Sequence, residues 1–230
     1  MAFKQDLNDQ FARMGKVLGS GRRLELLDYL AQAPRSVEQL AEVSGLTVAN
    51  TSQHLQKMQQ AGLVRANRQG KYIIYQLADG EVVTLLDTLH TLAERHLAEV
   101  RALVATHLAP RDALAPITLN ELQPQLASGD VTLIDVRPPQ EFAAGHLPGA
   151  VNIPPDQLAS ALETLDPTRP VVAYCRGRYC AFSYDAVAAL RARGFRARRL
   201  AVGFPEWQLA GHPVIYPQNS LENSLTEQVA

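Results

Sequence analysis

Both cysteines of this 230-residue chain lie in one short stretch, YCRGRYCAFS, where Cys175 and Cys180 flank Arg176, Gly177, Arg178 and Tyr179. The apolar run PVVAY leads in and the amphipathic run AFSYDAVAALRARGF leads out, which predicts a buried strand, a loop and a helix. A cysteine placed there meets three influences of one sign: loop amides that can curl around the sulfur, the positive end of the helix, and the charges of Arg176 and Arg178. All three favour the thiolate, which is the nucleophile. Gly177 lets the backbone come close. An inert, buried cysteine would need neither the arginines nor the glycine, so Cys175 is read as a reactive thiol. Two thiols in one loop without a paired histidine make half a zinc site at best, and no metal is assigned.

The elements that must position this loop are legible on both sides of it. From Ile117 the runs VTLIDV, PQEFAAG, AVNIP, PDQLASALETL, PVVAY, SYDAVAALRARG and ARRLAV alternate strand-like and helical patterns. That alternation predicts an α/β domain with a mostly parallel sheet, and in such sheets sites form at the carboxyl ends of the strands. Cys175 falls just past the strand ending at Tyr174.

Three blocks in order, LIDVRPPQEFAAGHLPGAVNIP, VVAYCRGRYCAFSYDAVAALRARGF and LAVGFPEWQLAGHPV, resemble the rhodanese family of sulfurtransferases over about residues 117–215. The resemblance implies that Cys175 accepts a sulfane sulfur from a donor such as polysulfide or thiosulfate. It would hold that sulfur as a persulfide in a six-residue loop, with Arg176, Gly177, Arg178 and Tyr179 as the cradle. Asp135 and Arg137 match the family's first block, where their role is mostly structural, and Trp207 is expected in the core. The last loop position, commonly arginine or threonine in the family, is Cys180 here. That change weakens the case for thiosulfate as substrate and supplies a resolving thiol, able to close a disulfide or a sulfur-bridged link with Cys175. The related dual-specificity phosphatases use a longer loop ending in arginine. The matching position is Ala181, which disfavours phosphatase or arsenate-reductase chemistry.

The first half of the chain reads differently. Leu24, Leu27 and Leu30 sit near helical spacing before Pro34, and Ser36 opens a short helix with Gln39 placed for a capping box. Gly45 breaks the chain, and a third helix begins at Thr47, with Thr51, Leu55 and Met58 facing inward. Helix, glycine-bearing turn and helix with a polar outer face form a helix-turn-helix pattern. The following hairpin, around NRQGK with Gly70 at its turn, carries Arg65, Arg68 and Lys71 as a basic edge suited to phosphates. Candidate DNA-contacting residues are therefore Thr47, Asn50, Ser52, Gln53, His54, Gln56, Arg65, Arg68 and Lys71.

The stretches RRLELLDYL, SVEQLA, TSQHLQKMQQAGLV and GKYIIYQL resemble the ArsR/SmtB family of winged-helix repressors over about the first 105 residues. The resemblance implies a homodimer paired through its first and last helices, the last being EVVTLLDTLHTLAERHLAEVRALVATHL, and a palindromic operator in double-stranded DNA. The family's metal-binding cysteines usually lie near the helix matching SVEQLAEVSG, where this chain has none. Glu94, His96 and His107 mimic its second site but lie beyond the expected register, so no metal input is expected.

The expected organisation is an α+β winged helix-turn-helix domain over residues 1–108, a linker over 109–116 (APRDALAP), an α/β rhodanese-like domain over 117–217 and a polar tail over 218–230. A hydrophobic content of 47% allows each half its own core, and the net charge of -1 gives no global nucleic-acid signature. No apolar run approaches the ~18 residues that span a membrane. The start of the chain lacks a secretory signal pattern, so a cytoplasmic location is expected. No cofactor is implied. The leading function is a transcriptional regulator, a repressor by resemblance, that reads sulfane sulfur or redox state through Cys175 and Cys180. The alternative is a working sulfurtransferase with a DNA-targeting or dimerising winged helix.

Overall fold

The computed structural model describes residues 2–112 and 114–217, and the tail expected over 218–230 lies outside them. The chain divides into two units, the first ending at Val100 and the second beginning at Arg101.

The first unit contains α1 (Ala2–Leu18), α2 (Gly21–Gln32), β1 (Arg35–Ser36), α3 (Val37–Ser44), α4 (Val48–Gln60), β2 (Val64–Gln69), β3 (Tyr72–Leu77) and α5 (Glu81–His96). The division between units falls inside α6 (Ala98–His107). Ser36 caps α3 as its sequence predicts. The Gln39 amide donates to Ser36 Oγ at 3.3 Å, and the Ser36 amide donates to Gln39 Oε1 at 2.9 Å. Gly45 ends that helix at φ 67°, a left-handed conformation open to glycine. Leu26, Leu27, Leu40, Leu55 and Met58 form the centre of the core. Fully burying each such side chain is worth roughly 1.5–3 kcal/mol. The strands pair antiparallel in the order β1-β3-β2, and the β2–β3 register runs from Val64↔Leu77 to Gln69↔Tyr72 around Gly70. Helix-turn-helix and hairpin together make a winged helix. One expectation is corrected: the stretch 81–108, read as a single last helix, is α5 and α6, broken at Leu97, whose extended backbone (φ -100°, ψ 116°) interrupts the ladder.

The second unit contains a 3-10 turn (Ala109–Arg111), α7 (Leu119–Ser128), β4 (Thr132–Asp135), α8 (Pro139–Ala144), β5 (Val151–Asn152), a 3-10 turn (Pro155–Gln157), α9 (Leu158–Ala161), β6 (Val171–Tyr174), α10 (Ala181–Ala192), β7 (Ala197–Arg199) and α11 (Phe204–Leu209). The four strands are parallel in the order β5-β4-β6-β7. Ile117 adds a parallel bridge to Leu200, beyond β7. Side chains alternate across the sheet. Val171, Ala173 and Cys175 pack on the side of α10, with Val187 and Leu190, while Val172 and Tyr174 pack with Leu122 and Trp207. The run expected as one helix at 155–165 is a 3-10 turn followed by the short α9.

Residues 109–116, where two prolines suggested a linker, contain a buried carboxylate. Asp112 is 8% exposed and accepts hydrogen bonds from Arg191 (2.5 Å) and Arg199 (2.7 Å).

Candidate functional site

The cysteine loop leaves the end of β6 at Cys175 and closes at Cys180, which is the N-cap of α10. The two sulfurs form a disulfide whose Cα atoms are 6.2 Å apart, inside the usual span for such a bond. Cys175 is 2% exposed, and the five residues from Arg176 to Cys180 are half-buried. Within the loop, the Cys180 amide donates to the Gly177 carbonyl at 3.1 Å, and the Tyr184 hydroxyl donates to the Arg178 carbonyl at 3.2 Å. Arg176, Gly177, Arg178 and Tyr179 thus sit together between the two sulfurs.

Two sequence readings change. Arg176 was expected to lend its charge to the sulfur, yet Glu141 of α8 holds it from both carboxylate oxygens, with Nη2 to Oε1 at 2.7 Å. Glu141 is fully buried, so it answers the Arg176 charge at close range. Gly177 was expected to serve close approach, but a Cβ there would meet only Glu206 at 3.8 Å, an ordinary contact. The close approach is at Gly203, where a Cβ would lie 2.4 Å from the Arg176 carbonyl and 2.5 Å from the Gly177 nitrogen. The loop rests on that bare backbone, and the Phe204 amide donates to the Cys175 carbonyl at 3.1 Å.

Behind the loop, Asp135 and Arg137 form a pair with both side chains fully buried, Nη2 to Oδ2 at 2.7 Å. Arg137 also donates to the Gly145 carbonyl and lies over the Phe204 ring, 4.1 Å from its centroid. Burial, then the Asp135 charge, raises the Tyr174 pKa, and its hydroxyl accepts from the Leu147 amide at 3.1 Å. These groups brace the strand ends below the sulfur. Trp207 is 3% exposed and donates to the Pro213 carbonyl.

On the winged helix, Thr51, Leu55 and Met58 of α4 are fully buried. The other side of the helix presents Asn50, Gln53 and Gln56, with Ser52 and His54 half-buried. Thr47 is exposed, but its hydroxyl caps α4 by accepting from the Asn50 amide at 3.2 Å. Burial, then the charges of Arg23 and Lys57, lowers the His54 pKa, which favours the neutral ring. Arg65, Arg68 and Lys71 are exposed on the hairpin, where Arg68 Nε donates to the Gly70 carbonyl at 3.2 Å. Among the described residues, no three His, Cys, Asp or Glu side chains gather where they could hold a metal ion. No helix of the described residues is long and apolar enough to cross a membrane.

Comparison with known proteins finds one family match within each unit. The family model described as bacterial regulatory protein, arsR family, matches residues 20–66, and the rhodanese-like domain model matches residues 118–210. The HTH-type transcriptional regulator Rv0324 of Mycobacterium tuberculosis is 45% identical over 212 residues, 92% of this chain and 92% of that protein. The chain belongs to the arsR family of bacterial regulatory proteins. A sulfurtransferase of Allochromatium vinosum is 36% identical over 90 residues, 39% of this chain and 82% of that protein. A homodimeric winged helix-turn-helix DNA-binding domain from Mycobacterium bovis, described as a possible ArsR-family transcriptional regulator, is 41% identical. It covers 42% of this chain and 89% of that one, with a TM-score of 0.40.

In this arsR-family regulator, the residues around the cysteine loop that sequence reasoning missed are Glu141 and Gly203. Glu141 lies 35 positions from its arginine, and nothing local marks the pairing. Gly203 has φ -98°, which any residue adopts, so its need for glycine comes only from the loop packed against it.

Proposed function

We propose that this arsR-family transcriptional regulator acts as a cytoplasmic, homodimeric repressor that reads sulfane sulfur or oxidants through Cys175 and Cys180. The observation that carries the reading is the Cys175–Cys180 bond, set between the end of β6 and the first residue of α10. The Cys175 thiolate attacks a sulfane sulfur, breaks that sulfur's bond to the rest of the donor, forms a persulfide and releases the remainder as an anion, a shortened polysulfide or, from thiosulfate, sulfite. The Cys180 thiol then attacks Cys175 Sγ. The Cys175–Cys180 bond forms, the outer sulfur leaves as hydrosulfide, and the Cys180 proton goes with it. The two thiols lose two electrons, which leave on the sulfide.

The dimer is supported by α1, which buries none of its residues and exposes Phe3 (78%), Leu7 (39%), Phe11 (65%) and Met14 (38%) at helical spacing. A stripe of that kind suits a second copy of the chain. A twofold dimer reads a palindrome, with α4 in the major groove and Arg65, Arg68 and Lys71 on phosphates.

The test is a DNA shift assay on the full chain, reduced and then treated with polysulfide, with intact mass recorded on both samples. The operator is sought as a palindrome upstream of the protein's own gene. Weaker binding together with formation of the Cys175–Cys180 bond supports the reading. Unchanged binding with the bond formed overturns it in favour of the sulfurtransferase, the second reading, which the similarity to the Allochromatium sulfurtransferase supports.

A further inference from the structure

The cysteine loop is tied to the beginning of its own unit by continuous contacts. The Tyr184 hydroxyl, on the first turns of α10, donates to the Arg178 carbonyl inside the loop at 3.2 Å. The Arg199 guanidinium lies over the Tyr184 ring, 3.6 Å from its centroid. Arg199 Nε donates to Asp112 Oδ2 at 2.7 Å. Asp112 Oδ1 accepts from Arg191 Nη1 at 2.5 Å and from the Leu114 amide at 3.1 Å. Next to it, Arg111 pairs with Asp185 of α10 at 2.8 Å. Just upstream is α6, the helix inside which the chain passes from the first unit to the second.

We propose that Tyr184, Arg199 and Asp112 transmit the covalent state of the Cys175–Cys180 loop to residues 109–112, where the chain comes out of α6. The proposal rests on the sulfur-sensing reading above and supplies its route. Opening or closing the bond changes the span across the loop, and the Arg178 carbonyl lies inside that span. Tyr184 is 7% exposed and packed, so its ring cannot follow the carbonyl without disturbing the stacked guanidinium. The side chains of Arg199 and Asp112 are 8% and 0% exposed. Separating a desolvated ion pair is costly in a weakly screening interior, so movement of Arg199 is passed on to Asp112.

Two amides report on the junction: that of Leu114, bonded to Asp112, and that of Ile117, which donates to the Arg199 carbonyl at 2.7 Å. Their hydrogen exchange is measured in the full chain, wild type and Tyr184→Phe, each as the reduced dithiol and as the disulfide. In the wild type the two forms are expected to differ by about tenfold or more in exchange rate at these amides. Tyr184→Phe keeps the ring and its stack on Arg199 and removes the hydroxyl that bonds the loop, so the difference falls below about twofold while the disulfide still forms. Arg199→Lys, which keeps the charge and loses the planar stack, is the second variant and decides the matter if the first does not fold. Identical exchange in both wild-type forms, or a full difference surviving in the variant, overturns the relay. DNA affinity on the same samples separates the two claims. An exchange response without a DNA response sinks the regulator reading and keeps the relay. A DNA response without an exchange response does the reverse.

Discussion

Glu141 and Arg176 form the ion pair that fixes the first residue after Cys175. The carboxylate is fully buried, the guanidinium side chain is 23% exposed, and both carboxylate oxygens accept from Arg176 Nε at 3.0–3.1 Å. Replacing Glu141 by Gln leaves a half-buried cation without its counter-charge. The rhodanese-like unit is expected to lose about 2 kcal/mol, somewhat less than a fully buried pair because Arg176 meets some solvent. Urea unfolding of Glu141→Gln, Arg176→Gln and the double variant checks this. The double variant is expected to be more stable than the sum of the two losses, and simple additivity refutes the pairing as the cause.

Gly203→Ala places a methyl group against the backbone of Arg176 and Gly177, which cannot move aside as a flexible side chain can. The loop must lift, at a cost of about 1–3 kcal/mol. Gly177→Ala meets only an ordinary contact and is expected to change stability by less than about 0.5 kcal/mol. Equal destabilisation by the two variants, in urea unfolding, counts against the packing argument.

Cys180→Ser removes the second thiol of the loop and keeps Cys175. Treated with polysulfide, it is expected to stop at the Cys175 persulfide, visible as one added sulfur in the intact mass, and to keep its DNA affinity. Release from DNA by the serine variant, equal to that of the wild type, shows that the persulfide alone is the signal.

Burial pushes the Asp112 carboxyl up, but hydrogen bonds from Arg191 and Arg199 outweigh it and hold the group below its ordinary value of 3.8. A carboxylate with a depressed folded pKa contributes its full stability above the unfolded value, and loses it as pH falls through the folded one. Thermal unfolding should therefore show a constant gap between wild type and Asp112→Asn above about pH 5, about 3–5 kcal/mol for a buried pair. The gap should narrow below about pH 4. A gap independent of pH down to the acid transition contradicts the assignment.

On the wing, Lys71→Ala is expected to weaken binding about equally across sequences and to reduce the slope of log affinity against log salt by about 1. Gln53→Ala, on the outward side of α4, should instead relax sequence preference with little change in salt slope. Titrations at several salt concentrations distinguish the two, and interchanged outcomes would reassign both residues.

Short-range chemistry made the winged helix legible. Ser36 with Gln39, Gly45, and the buried spacing of Thr51, Leu55 and Met58 act within a few residues of one another, and the hairpin turns where Gly70 says it should. The strand–loop–helix around Cys175 was legible for the same reason. What escaped is chemistry between distant segments. Glu141 neutralises Arg176 from α8, and Gly203 admits the loop from beyond β7. The break at Leu97 escaped for a different reason: the apolar pattern runs through it, and only the backbone records the interruption.

Asp112 and Ile117 have a consequence for where this domain starts. The rhodanese-like match begins at residue 118, after both. A fragment cut there would deprive Arg191 and Arg199 of their shared carboxylate and Leu200 of its neighbouring bridge. Such a piece would carry the whole cysteine loop and still lack part of its own foundation. A rhodanese module excised from this chain is therefore expected to need the stretch that precedes the family match, and one transplanted onto another DNA-binding domain would have to carry that stretch along.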